Sequence, residues 1–84
     1  MSEQAFIIAN KLPRVVAGVE PDIMLLHPIK VGRADGKPIF VFKKGLLYKL
    51  HVSGWGGPSL ILECDNVDTL EKYFAAFYAP IEWA

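Results

Sequence analysis

Between Ser59 and Tyr78 the chain passes from an apolar run straight into a capped helical pattern, and this junction restricts the fold more than any other stretch. Ser59 to Cys64 is short and apolar, Asp65-Asn66 interrupts it, and Val67, Leu70, Phe74 and Phe77 then recur at i, i+3, i+7 and i+10. That spacing places the four on one helical stripe. Asn66 is a suitable N-cap, and Asp68 and Glu71 put negative charge in the first turns, where the helix dipole favours it. A strand that feeds such a helix needs a sheet to receive the stripe.

The sheet is expected upstream. Asp35-Gly36, between Ile29–Arg33 and Pro38–Lys43, has the residues of a type I′ hairpin turn. Lys44-Gly45 reads as a second tight turn leading into Leu46–Ser53, and Gly54 to Pro58 as the third connection. The expected fold is α+β: a small antiparallel β-meander of about four strands with one C-terminal amphipathic helix packed on one face. The N-terminal segment has material for one or two more strands, in Ala5–Ala9 and Val15–Val19, while Glu20 to Pro28 fits a short helix or a strand. With 84 residues and no low-complexity linker, residues 1–84 are expected to form a single domain with a small core.

Register can be read from the alternation. Placing Ser53 opposite Ser59 pairs Val52 with Leu60, Leu50 with Leu62 and Tyr48 with Cys64 on one face, and brings Lys49 to Glu63 on the other. A Lys44-Gly45 loop would then set Phe42 beside Leu47 and Phe40 beside Lys49, with Val31 beside Phe40 and Ile29 beside Phe42. The second face is left apolar as well, which a sheet solvated on one side is not. Covering that face falls to the N-terminal residues, another copy or a partner. The 52% apolar content favours association, so Phe42→Asp is expected to leave the fold intact while abolishing it.

Composition argues against several classes. One cysteine precludes an intramolecular disulfide framework and fits a reducing, cytoplasmic compartment. No apolar run approaches the roughly 18 residues of a membrane span. Cys64 and His51 fall on opposite sheet faces in this register and cannot form a nucleophilic dyad. Two distant histidines and one cysteine lack the spacing of a zinc site, and the acids Glu63, Asp65, Asp68 and Glu71 are explained by the helix dipole and by Lys49. The glycine-rich loop around Trp55 lacks the Lys-Ser/Thr of a phosphate loop. Neither catalysis, cofactor, metal nor small-molecule substrate is expected.

What remains is binding. A protein-protein interaction module, acting as adaptor, inhibitor or self-associating subunit, would use Phe40, Phe42, Leu47, Lys49, His51, Trp55 and Ile61. The alternative is a single-stranded nucleic-acid-binding module built on hairpins 29–51, with Lys30, Arg33, Lys37, Lys43, Lys44 and Lys49 for phosphates and the interleaved rings for bases. Against it, the whole chain is neutral and its isoelectric point is about 6.7. Cys64 to Phe74, about an eighth of the chain, resembles the strand-to-helix junction of small phage-encoded anti-CRISPR inhibitors, which are also short α+β chains. That resemblance implies an anti-defence inhibitor as one member of the binding class.

Overall fold

A computed structural model describes residues 12–16, 25–55 and 59–84. They form one six-stranded antiparallel sheet and one helix: β1 (Arg14–Val16), β2 (Lys30–Ala34), β3 (Lys37–Lys44), β4 (Leu47–Ser53), β5 (Ser59–Cys64), α1 (Val67–Phe77) and β6 (Glu82–Trp83). Strand order across the sheet is β1-β5-β4-β3-β2-β6. The expected meander is therefore its centre, with one N-terminal strand added beside β5 and one C-terminal strand beside β2. Ala5–Ala9 and most of the expected short element at 20–28 lie outside the described residues, as do the last three residues of the third connection.

Turn chemistry sets the register. Asp35 and Gly36 both take positive φ, as a type I′ hairpin needs, and Ala34 pairs with Lys37. In the next hairpin the turn residues are Gly45 and Leu46, one position later than expected, and Lys44 pairs with Leu47. Gly45, at φ 62°, supplies the positive φ at the first turn position, as a type II′ turn requires. Phe42 therefore faces Lys49, and Phe40 faces His51. The shift relative to expectation is two residues, so each side chain keeps its face. Between β4 and β5 every expected pair is present, from Tyr48–Cys64 to Ser53–Ser59.

The helix begins where Asn66 caps it, its side chain accepting from the Thr69 N–H at 3.1 Å. It ends as the Tyr78 N–H donates to the Phe74 carbonyl at 2.9 Å. Leu70 and Phe74 are fully buried against Ile39, Val41, Leu50, Val52 and Leu62. Each such side chain contributes about 1.5–3 kcal/mol. Trp55, from the third connection, folds back edge-on to Phe74 (5.6 Å between ring centres) and Tyr78 (6.0 Å), closing the core at that end. Cys64 is buried on this helix-covered face.

At the far edge, β6 approaches β2 at Gly32, which pairs with Trp83. A Cβ on Gly32 would lie 2.5 Å from the Glu82 carbonyl oxygen and 2.9 Å from Trp83 Cε3. Only a glycine admits this approach. The Lys30 ammonium sits 4.3 Å from the Trp83 ring centre and 2.8 Å from Glu71 Oε1, tying β2, β6 and α1 together.

Candidate functional site

The face opposite the helix carries two cross-strand rows. Strand alternation and register line up Val31, Phe40, His51, Ile61 and Val16 in one, and Phe42, Lys49, Glu63 and Arg14 in the next. Phe42 is 4% exposed and Ile61 1%, and they form a second apolar cluster with Phe40 and Val16 packed against it. Lys49 donates to Glu63, Nζ to Oε2 at 3.0 Å, and Arg14 Nη2 holds the other carboxylate oxygen. A sheet position whose neighbours are apolar tolerates a charge only when it is paired, and here one carboxylate serves two cations.

His51 is buried in the adjoining row with its ring 6.5 Å from that of Phe40. Its Nδ1 finds no hydrogen-bond partner among the described residues. Burial disfavours its charged form and lowers its pKa from the ordinary 6.5. Cys64 lies on the other face, with Sγ 3.8 Å from Asp65 Oδ1, so the two form no dyad.

Of the seven residues expected to contact a partner, Phe42, Lys49, His51 and Ile61 are buried within the single chain. Phe40 is half-buried, Leu47 is exposed at the edge, and Trp55 belongs to the aromatic core on the other side. The middle of this face is therefore interior, and a surface for association must be sought at its margins. The six expected phosphate contacts do not converge either. Register sends Lys30, Lys37 and Lys43 to the helix side of the sheet and Arg33, Lys44 and Lys49 to the other. Lys37 lies over Trp55 and Lys43 over Tyr48, while Lys49 is buried in its ion pair. Glu63 and Glu71 are likewise held by cations on different elements. Among the described residues no cluster of His, Cys, Asp and Glu could hold a metal ion, and no helix is long and apolar enough to cross a membrane.

Large apolar side chains are exposed at two margins that composition and periodicity do not single out. Leu25, Leu26, Ile29 and Val31 run along and just before β2, with Leu25 85% exposed. Leu46, 88% exposed, stands at the tip of the β3–β4 turn, with Leu47 and Leu12 nearby on the second face. Leu46 was legible in principle: an apolar residue beside a turn glycine has no sheet neighbour to cover it. A pocket of about 350 Å³ opens at this end, lined by Leu12, Arg14, Leu47, Glu63, Cys64 and Asp65.

No protein-family model matches the chain, and neither the curated proteins nor the solved structures compared with it include a match.

Proposed function

We propose that the protein is a non-enzymatic protein-protein interaction module whose binding surface is the β2 margin of the sheet. The observation that carries this reading is the exposure of Leu25, Leu26, Ile29 and Val31 within seven residues, beside the half-buried Phe40. Singly exposed leucines need no explanation, whereas a contiguous group on a folded edge is characteristic of a surface kept for another protein. Arg33, exposed on the same strand and face, supplies a polar rim.

The test is a double substitution, Ile29→Lys with Val31→Lys. Both side chains are exposed, so the variant melts with the wild type while losing the complex that the wild type forms in extract of the native host. A complex unaffected by two lysines at its centre removes the β2 margin from consideration. Loss of the fold in the variant does the same, because it makes these side chains core.

A further inference from the structure

We propose that the Gly45–Leu46 turn and the pocket beside it form a self-association surface, each copy inserting its Leu46 between Leu12 and Leu47 of a second copy. This rests on the interaction reading above but uses a different surface. The turn is a knob: Gly45 holds the backbone at φ 62°, and Leu46 projects with 88% of its surface exposed, so it does not fill the pocket of its own chain. At about 350 Å³ the pocket is near the small end of ligand sites, roughly 300–1,000 Å³, a size suited to an aliphatic side chain. Leu12 and Leu47 make its apolar walls.

Charge identifies the occupant. Lys43 and Lys44 lead into the knob, whereas the pocket is lined by the carboxylates of Glu63 and Asp65 against the single cation Arg14. A basic, leucine-tipped knob and an acidic, leucine-walled pocket on one chain are complementary to each other. Because Leu46 adjoins Leu47 in sequence, knob and pocket share one end of the sheet. A twofold rotation then satisfies both at once, and the assembly closes as a dimer instead of growing into a filament. The contact is small, so the dimer is weak and concentration-dependent.

Sedimentation velocity over about 10 μM to 1 mM, the range of weak dissociation constants, tests this. The wild type should shift from monomer to dimer. Leu46→Asp, which removes the knob, and Leu12→Asp, which spoils the pocket, should each stay monomeric and melt with the wild type. An equimolar mixture of the two retains one intact knob-and-pocket contact and should recover part of the dimer. A wild type that is monomeric throughout overturns the inference and leaves the β2-margin reading standing. A dimer indifferent to Leu46→Asp, or a mixture as monomeric as its components, overturns it too. A dimer that follows these rules while the Ile29→Lys, Val31→Lys variant keeps its host complex sinks only the β2 margin.

Discussion

Lys49 and Glu63 face each other across β4 and β5, 3.0 Å apart, with both side chains withdrawn from solvent on the sheet face away from the helix. Removing one member of such a pair leaves a buried charge without its counter-ion, which costs about 3–5 kcal/mol, while replacing both by apolar groups is close to neutral. Glu63→Gln should therefore destabilise strongly in urea titrations, and the double variant Lys49→Met, Glu63→Leu should regain most of the loss. A double variant no better than Glu63→Gln would mean that the pair is not an energetic unit. Arg14, whose side chain is 77% exposed, adds little to this balance.

His51 makes stability depend on pH. Its folded pKa lies below the ordinary 6.5 because burial desolvates the ring, so the unfolded chain binds its proton more readily than the fold does. The contribution of neutral His51 is fully present above pH 6.5 and is lost as pH falls from there towards the folded pKa. Lys49, two residues away on the same strand face, adds a like charge near the protonated ring. The wild type should thus lose stability relative to His51→Phe between neutral and mildly acidic pH. Parallel pH profiles for the two proteins would exclude His51 as the source.

Phe42→Asp places an unpaired carboxylate at a position 4% exposed. The apolar content of the chain suggests an association surface here, but burial within one chain turns the expectation round: the substitution should cost several kcal/mol and unfold a domain of this size. Thermal melting by circular dichroism reads the outcome. A cooperative melt near that of the wild type would restore this face to the surface.

Gly32→Ala should displace β6 without dissolving the central sheet, at a cost of about 1–3 kcal/mol for overpacking. Trp83, which packs over Gly32 and under Lys30, reports the change. In a Trp55→Phe background its emission should move to the red while the far-ultraviolet spectrum keeps its sheet signal. Unchanged emission would show that β6 accommodates a methyl group.

The parts legible in the sequence are those where several local signals agree. Asp35-Gly36 selects its own turn, Asn66 caps its own helix, and the β4–β5 register is over-determined by three apolar pairs and one opposite-charge pair. The β3–β4 turn was misplaced because a glycine can serve at either central position, and Leu46 does not advertise itself as a turn residue. β1 has three residues and β6 two, too few for any periodicity to register. For the candidate site the residues of the second face were identified, but not their depth: alternation assigns a side chain to a face without saying what lies over it. The exposed leucines at 25, 26 and 46 carry no motif, and only three-dimensional placement distinguishes them from core.

The order of strands also sets an order in time. β2–β3 and β3–β4 are closed by two-residue turns, whereas the outer pairings join Arg14 to Glu63 and Arg33 to Glu82, each across 49 residues. Loop closure makes distant pairings slower to form than neighbouring ones, and strands of two or three residues have few bonds to hold them. The interior ladder assembles early and the two borders arrive late and depart readily. Each departure bares the hydrogen-bonding rim of β5 or β2, a template for any extended chain nearby. Proteolysis, strand exchange and aggregation therefore share two points of entry at opposite ends of the sheet, and both are guarded by fewer than half a dozen residues in all.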